Sequence, residues 1–275
     1  MSGTSPSVAP ALEAAHLGTC WDAVRDTGPL VQCITNIVVA PLTANVLLAS
    51  GAVPAMVDNP REAGDFAAAS GGLLINMGTP YAETADAMRA AVAGAATAGT
   101  PWVLDPIGAG ALPWREGVAH ELIDAAVPAI IRGNASEIIG LAGLGGGGKG
   151  PEAAHATEDA QAASRTLVER FGTVVAVSGP VDWLIDGERV VRVPHGHEWM
   201  TKVTGVGCAL GALMAACAAV CDDRLVAAAT ATTALTLAAE TAASASRGPG
   251  SFAVALLDEL YLLDGDALTD RVALR

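Results

Sequence analysis

Short apolar runs rich in β-branched residues alternate along this chain with longer, alanine-rich segments that carry charged residues at helical spacing. This alternation is typical of βα units, in which helices cover both faces of a parallel sheet. The predicted strands are residues 30–34, 53–57, 73–76, 102–105, 129–132, 173–178 and a pair within 183–193. The pattern therefore predicts an α/β fold in three layers, with a mostly parallel central sheet and helices on both faces.

The segments between the predicted strands have the composition of helices. Residues 81–98, 158–170 and 225–246 are rich in alanine, which has the highest helix propensity. The most apolar run, residues 207–221, is shorter than the roughly 20 residues that cross a bilayer, and charged residues follow it directly. It is therefore predicted to be a buried helix.

Composition limits the kinds of partner that this chain can have. It has 275 residues, 52% of them hydrophobic, without a polar linker, so we expect one domain over residues 11–275. Residues 1–10 are predicted to be a flexible tail rather than a secretory signal, which favours a cytoplasmic location. A net charge of −14 opposes non-specific binding to nucleic acid or to an anionic membrane, but it permits a small anion in a local pocket.

A glycine turn at residues 203–211 leads directly into the most apolar predicted helix. Gly205 and Gly207 allow backbone N–H groups to turn towards one point, and the free N–H groups and dipole of a helix start favour negative charge. A phosphate fits such a turn. A tight loop that only enters a core helix has the same pattern, so the motif alone leaves both interpretations open.

Cys208 is the cysteine with the most reactive predicted surroundings. It stands at the predicted helix start, where the positive end of the helix is expected to lower the pKa of a thiol. The other four cysteines form no C-x-x-C pair, so reduced thiols are expected. A covalent nucleophile is disfavoured, because a nucleophile elbow needs glycines where this chain has Val206 and Leu210.

Polar residues that follow two predicted strands are candidates for a metal and phosphate site. Asp105 ends one strand, Arg132 ends the next, and Asn134 and Glu137 follow it. Carboxylate and amide oxygens are ligands that Mg²⁺ prefers, and arginine supplies a fixed charge for a phosphate. The alternative is structural: Asp105 caps a turn, and Asn134 with Glu137 forms a capping box.

Two other motifs are weaker. Residues 143–149 match the opening of a P-loop, but Gly150 replaces the Ser or Thr that binds Mg²⁺, so a mobile loop is expected. His195 and His197 have the spacing of metal ligands. Without a further cluster of ligands, they are better explained as a loop that leads into the glycine turn.

Taken together, five motifs make the chain resemble the hydroxyethylthiazole kinase family, thiamine-salvage enzymes of the ribokinase-like superfamily. The resemblance covers residues 30–263, and the motifs occur in the family's order. They are Cys33-Ile-Thr-Asn36, Asn76-Met-Gly-Thr79, Asp105-Pro-Ile-Gly-Ala-Gly110, Gly133-Asn-Ala-Ser-Glu137 and Val203-Thr-Gly-Val-Gly-Cys208.

The resemblance implies transfer of the ATP γ-phosphoryl group to the primary alcohol of 4-methyl-5-(2-hydroxyethyl)thiazole, with Mg²⁺, in a homotrimer with sites between subunits. By position, Asp105 and Glu137 match acids that associate with the metal. Arg132 and Ser178 match residues that meet the nucleotide phosphates. Cys208 stands where the wider superfamily has an aspartate as general base.

The same resemblance implies a substrate pocket. Asn36, Met56 and Gly205 match positions that line the thiazole pocket, and Gly78 and Thr79 match its wall.

The anion loop departs from the family at one position. Val206 stands where a threonine is usual, which removes a hydroxyl and leaves the backbone donors. We expect the amides of residues 205–208, including Gly205 and Gly207, to stabilise the migrating phosphoryl group with Cys208 near the attacking hydroxyl as a weak acceptor.

Three alternatives remain at this point. A superfamily kinase acting on a hydroxymethylpyrimidine or on pyridoxal should carry aspartate at position 208, and an ATP-dependent NAD(P)H-hydrate dehydratase also favours an acid there. A catalytically silent nucleotide-binding protein is the third. The joint presence of Asp105, Arg132 and Glu137 argues against it.

Overall fold

A computed structural model of the chain describes residues 12–144 and 153–274. Within them one sheet has the strands β1 (Leu30–Ile34), β2 (Val53–Ala55), β3 (Gly72–Asn76), β4 (Trp102–Asp105), β5 (Ile130–Asn134), β6 (Val174–Ser178), β7 (Asp182–Asp186) and β8 (Arg189–Val193). The order is β2-β1-β3-β4-β5-β6-β7-β8. The pairs from β2 to β6 are parallel, whereas β7 pairs in antiparallel orientation with both β6 and β8. The predicted mostly parallel sheet is confirmed.

Helices lie on both faces of this sheet. They are α1 (Ala14–Thr27), α2 (Ala40–Ala49), α3 (Ala63–Ala69), α4 (Ala82–Ala98), α5 (Pro113–Ala125), α6 (Ala135–Leu141), α7 (Ala153–Phe171), α8 (Val206–Val220), α9 (Arg224–Ser244), α10 (Pro249–Leu262) and α11 (Gly265–Arg271), with a short 3-10 helix at Glu198–Lys202. The predicted tail at residues 1–10 and the glycine loop at residues 145–150 lie outside the described residues.

Two apolar cores separate the three layers. One lies between the sheet and the helices α1, α2 and α8 to α11, and the other lies between the opposite face and α3 to α7. Side chains alternate between the cores along each strand: Leu74 of β3 enters the first, whereas Leu73 and Ile75 enter the second. This alternation explains why the central strands read as continuous apolar runs.

Two strand ends differ from the prediction by two residues. β2 ends at Ala55 rather than at residue 57, and the carbonyl of Val57 accepts a hydrogen bond from the Gln32 side chain at 2.8 Å. β5 continues to Asn134, because Gly133 and Asn134 still pair with β6. This extension carries β5 two residues past Arg132.

Among the described helices, α9 is long and apolar enough to cross a membrane by length and composition. Within its most apolar window 89% of the residues are buried inside the structure. The helix packs against α1, α8 and α10, which is the environment of a core helix.

Candidate active site

The candidate site lies at the carboxyl edge of the sheet, where the parallel strands β1, β3, β4, β5 and β6 all end. In open α/β sheets this edge is where ligands bind. The site side chains come from these strand ends or from the residue pairs that follow them, and the N-terminus of α8 faces them. The predicted residues Asn36, Asp105, Arg132, Ser178 and Cys208 are brought together here.

A pair of buried amides forms one half of the site. The Asn36 side chain donates from Nδ2 to Asn76 Oδ1 at 3.0 Å and to Cys208 Sγ at 3.5 Å. The backbone N–H of Gly78 also donates to Asn76 Oδ1, at 3.0 Å. Because that oxygen accepts two hydrogen bonds, the orientation of the Asn76 amide is fixed and its Nδ2 points towards β4.

Gly78 must be a glycine for this arrangement. A Cβ atom at position 78 would lie 2.6 Å from Asn36 Nδ2 and 2.8 Å from its Cγ, which is closer than carbon atoms approach. A side chain there would push Asn36 away from Cys208. The predicted wall residue Gly78 therefore acts by leaving room for Asn36.

A buried ion pair forms the other half. Asp105 Oδ2 accepts from Asn76 Nδ2 at 2.7 Å and from Arg132 Nη1 at 3.0 Å. Arg132 Nη2 then donates to Ser178 Oγ at 3.0 Å. Asp105 is fully buried, and the Arg132 side chain is 8% exposed. A continuous row of hydrogen bonds thus runs along the edge of the sheet from Cys208 to Ser178.

The start of α8 lies against this row. Gly205 precedes the helix with φ of 92°, a left-handed conformation that favours glycine, and a Cβ atom there would lie 2.6 Å from Val39 Cγ1. Within the described part of the chain, no side chain caps the helix start. A Cβ atom at Gly207 would lie 3.2 Å from Arg132 Nη2, so the first turn of backbone amides closely approaches the guanidinium group.

The pKa of Cys208 is raised, and the expectation of a lowered pKa was wrong. Burial is the largest cause, and the charge of Asp105 raises it further. Hydrogen bonds from Asn76 and Asn36 and the charge of Arg132 lower it, but by less. The position at a helix start alone predicted the wrong direction of the pKa shift. A half-buried thiol near a carboxylate loses hydration that the helix dipole does not replace.

Burial also raises the pKa of Asp105, to about 6, although the charge of Arg132 and the hydrogen bonds from Arg132 and Asn76 lower it. Asp105 is therefore mainly ionised at pH 7. Its side chain does not cap the turn that follows, because Oδ2 is taken by Arg132 and Asn76.

Glu137 forms the capping box that the sequence allowed. Asn134 Oδ1 accepts from the Glu137 backbone N–H at 3.0 Å, and Glu137 Oε2 accepts from the Asn134 backbone N–H at 2.9 Å. The charge of Glu137 also contributes to the raised pKa of Asp105. The capping role and a position near Asp105 therefore coexist.

The acidic residues fit a hydrated Mg²⁺ ion. Asp105 Oδ1 is buried and has no hydrogen-bond partner among the residues that the structure describes, so it is available as a ligand oxygen. Among residues 12–144 and 153–274 no group of three His, Cys, Asp or Glu side chains can enclose a metal ion. This combination suits Mg²⁺, which keeps several waters and binds through one or two carboxylates and substrate phosphates.

A cavity of about 750 Å³ opens beside Arg132 and Gly207. Such a volume is in the range of small-molecule binding sites. Its wall also includes Ser178 and Asp182 at the sheet edge and His195 and Leu235 at the far end.

His195 supports the wall of this cavity rather than a metal. Its Nδ1 lies 3.1 Å from Glu240 Oε1, and its Nε2 accepts from the Ala273 backbone N–H at 2.9 Å. His197 packs against the ring of Trp199, with ring centroids 5.1 Å apart. Within the described residues, neither histidine belongs to a metal cluster.

The family follows from comparison with known proteins. A model of the hydroxyethylthiazole kinase family matches residues 21–266. The chain belongs to the hydroxyethylthiazole kinase family. A Cutibacterium acnes protein named hydroxyethylthiazole kinase is 56% identical over 92% of this chain and 91% of its own length.

Solved structures agree with this family. A hydroxyethylthiazole kinase from Pyrococcus horikoshii OT3 superposes with a TM-score of 0.86 at 35% identity, over 94% of this chain and 98% of that one. A ribokinase-like superfamily protein from Enterococcus faecalis V583 shares the fold, with a TM-score of 0.64 at 12% identity, over 96% of this chain and 100% of that one. The predicted family and ribokinase-like fold are confirmed, and the chain is a kinase.

Two further family positions, Thr79 and Met56, follow the strands on either side of β1. Thr79 Oγ1 accepts from the Ile37 backbone N–H at 3.1 Å, so the two loops after β1 and β3 are joined. Met56 follows β2, the edge strand, and its side chain is 38% exposed.

Two residues at the site were not predicted. Asn76 ends a predicted strand next to Asp105, and that position was a usable signal because polar residues at strand ends point into the site. Asp182 lines the cavity at the start of β7. Its position depends on the antiparallel turn after β6, which the sequence pattern did not resolve.

Proposed function

We propose that this protein transfers the γ-phosphoryl group of ATP to the primary alcohol of 4-methyl-5-(2-hydroxyethyl)thiazole, with residues 11–275 acting as one kinase domain. The observation that carries the proposal is the position of the α8 start between the cavity and the contact of Cys208 with Asn36. Gly207 adjoins Arg132 on the cavity side, whereas Cys208 contacts Asn36 on the other side. A phosphate at this turn lies between a nucleotide and an alcohol.

The nucleotide side is built to bind negative charge. Arg132 and Ser178 are already joined at 3.0 Å, and the amides of the α8 first turn face the same region. Guanidinium and backbone donors held in place neutralise charge on a phosphoryl group without reorganising during the reaction. Arg132, Ser178, Gly205 and Gly207 are therefore proposed to hold the migrating group.

The alcohol side is built around Cys208. Its raised pKa keeps Cys208 a neutral thiol near pH 7, so the sulfur is only a weak hydrogen-bond acceptor. A loose phosphoryl-transfer transition state depends more on alignment than on a strong base, so a weak acceptor is sufficient. Asn36, Thr79 and Met56 are proposed to line the thiazole pocket with Gly78 and Gly205. The Cys208 sulfur then accepts a hydrogen bond from the attacking hydroxyl, whose proton passes to an oxygen of the transferred phosphoryl group as the ester bond forms, and Asn36 holds the sulfur in position.

Mg²⁺ is proposed to associate with Asp105 and Glu137. When bound, it supplies positive charge that neutralises the phosphate oxygens. Asp105 contributes Oδ1, while its Oδ2 remains with Arg132 and Asn76.

A homotrimer in the cytoplasm completes the proposal. Near the thiazole side, Ile37 and Val38 are 68% and 59% exposed, and Met56 stands at the open edge of the sheet. Apolar groups clustered beside a site are typical of an interface. We propose that a neighbouring subunit covers them and closes the pocket.

The test is release of ADP in a coupled assay with four mixtures: thiazole alcohol, hydroxymethylpyrimidine, pyridoxal and no acceptor. ADP release that depends on the thiazole alcohol supports the proposal. Preference for another alcohol contradicts the substrate, and calorimetry without any uptake of ATP contradicts the nucleotide site.

A further inference from the structure

Asp182 is a buried carboxylate that the proposed reaction does not use. It is the first residue of β7, is 8% exposed and lines the 750 Å³ cavity. Its Oδ1 accepts from the Gly179 backbone N–H at 2.9 Å. No described residue donates to its Oδ2. Oδ2 is not fully buried, so it is accessible from the cavity and can accept a hydrogen bond from a ligand there.

The sheet places Asp182 between the two ends of the cavity. Arg132 and Ser178, on β5 and β6, mark the end where phosphate is expected. His195, just after β8, marks the other end. β7 lies between β6 and β8, with strands about 4.8 Å apart, so Asp182 occupies the middle of the cavity.

The face on which Asp182 lies agrees with this position. In the β7–β8 ladder Asp182 pairs with Val193, which is buried in the core beside α8 and α9. Leu184, two residues on, enters the same core, so Asp182 lies on the α8 and α9 face. Gly207 of α8 and Leu235 of α9 line the same cavity.

The charge of Asp182 selects the part of a nucleotide that it can meet. Burial raises the pKa of Asp182 to about 6, while the Gly179 N–H and the charge of Arg132 lower it, so the group is mainly ionised at pH 7. An ionised carboxylate only accepts hydrogen bonds and repels phosphate. The sugar hydroxyls are donors, and they lie between the phosphates and the base.

We propose that Asp182 binds the ribose of the nucleotide, with Oδ2 accepting a hydrogen bond from the 2′- or 3′-hydroxyl. This assignment rests on the proposed kinase function, because it needs a nucleotide in the cavity. It gives the protein a means of preferring ribonucleotides. Gly179 keeps Oδ1 in place, so that the free oxygen is already aimed at the ligand.

The experiment compares Asp182→Asn with the wild-type protein by calorimetry, without an acceptor alcohol. The ligands are ATP, 2′,3′-dideoxy-ATP and ITP, at constant Mg²⁺. Asparagine retains an oxygen for the Gly179 N–H but loses the charged acceptor. The expected result is about tenfold weaker binding of ATP by the variant and unchanged binding of dideoxy-ATP, as for the loss of one hydrogen bond to a charged group.

Controls separate this contact from a structural role. Asp186→Asn changes the same residue type at the opposite end of β7 and should bind all three nucleotides as the wild type does. Asp182→Ser is the second variant, should Asp182→Asn fold poorly, and it should show the same selective loss.

Each other outcome overturns the contact. If the variant binds ATP and dideoxy-ATP equally more weakly than the wild type does, Asp182 only positions the Gly179 loop and does not contact the ribose. Loss of the preference for ATP over ITP, with dideoxy-ATP weakened like ATP, assigns it to the base. If the wild-type protein binds no nucleotide, the proposed function fails together with the ribose contact. If the wild-type protein phosphorylates its substrate with ATP but the variant gives the loop result or the base result, only the ribose contact is overturned.

Discussion

Asn36 donates a hydrogen bond to the sulfur of Cys208 across 3.5 Å, and it cannot reverse this bond. Its Oδ1 accepts a hydrogen bond from the Val38 backbone N–H at 3.2 Å, while its Nδ2 also donates to Asn76 Oδ1. The sulfur is therefore held as an acceptor. This polarity favours the thiolate and opposes part of the effect of burial on the Cys208 pKa.

Asn36→Asp should raise the pKa of Cys208 further, because a carboxylate replaces the donor beside the sulfur. We expect slower alkylation of Cys208 by iodoacetamide at each pH from 7 to 10, followed by mass spectrometry of its peptide. Cys221, which is also half-buried but lies beyond the far end of α8, is the internal control and should react unchanged. Faster alkylation of Cys208 would contradict the assigned polarity.

Cys208→Ala should slow turnover by about tenfold, less than the 10²–10⁴ that a general base typically contributes, because alignment supplies most of the rate. Cys208→Asp should keep or raise activity, since a carboxylate is a stronger acceptor for the proton of the attacking hydroxyl. Steady-state rates with ATP and thiazole alcohol measure both. Cys217→Ala, in the buried last turn of the same helix, is the matched control. An aspartate variant that binds both substrates but is inactive would show that position 208 is not beside the hydroxyl.

Arg132→Ala should destabilise the protein by about 3–5 kcal/mol near pH 7, because it leaves Asp105 buried and unpaired. The pKa of Asp105 is already raised to about 6 in the folded protein, and the loss of Arg132 raises it further. The folded state then binds more protons than the unfolded state above about pH 4, so stability falls as the pH rises through this range. Urea unfolding at pH 5 and pH 7.5 should therefore show the larger loss at pH 7.5.

The exposed ion pairs of Arg89 with Asp86 and Glu121 provide the control for that experiment. Arg89→Ala should cost under about 1 kcal/mol at both pH values, as solvent-exposed ion pairs do. A loss for Arg132→Ala that is equally small, or independent of pH, would contradict the description of a desolvated pair.

Ile37→Glu should dissociate the proposed trimer, because it places a charge in the apolar surface beside the thiazole side. Light scattering should then report a smaller particle, and the KM for the thiazole alcohol should rise while calorimetric binding of ATP is retained. Val254→Glu, on α10 and 64% exposed, is a matched control that should leave the assembly intact. A wild-type monomer in solution would refute the shared pocket.

The fold could be predicted from the sequence because the spacing of apolar residues and the composition of each segment determine its secondary structure locally. The predicted strand at residues 102–105 and the predicted helix at 225–246 agree with β4 and α9 to within two residues. The ends of β2 and β5 differed, since they depend on Gln32 and on pairing with β6, which are contacts between distant segments.

The site was predictable in its residue types but not in its energetics. Asp105, Arg132 and Cys208 could be selected by their positions after strands or at a helix start. Their burial could not be read from the sequence, and burial is what raises the pKa of Cys208. Asp182 was not predicted as a site residue, because its position in the cavity wall depends on how β7 and β8 pair.

The row of hydrogen bonds from Cys208 to Ser178 crosses five adjacent strand ends of a single sheet. Adjacent strands of a packed sheet do not slide independently, so the groups that meet the alcohol and those that meet the nucleotide share one rigid support. Their relative distance is consequently set during folding. Preorganisation of this kind reduces the entropy that the reaction loses when the alcohol and the nucleotide phosphate are aligned.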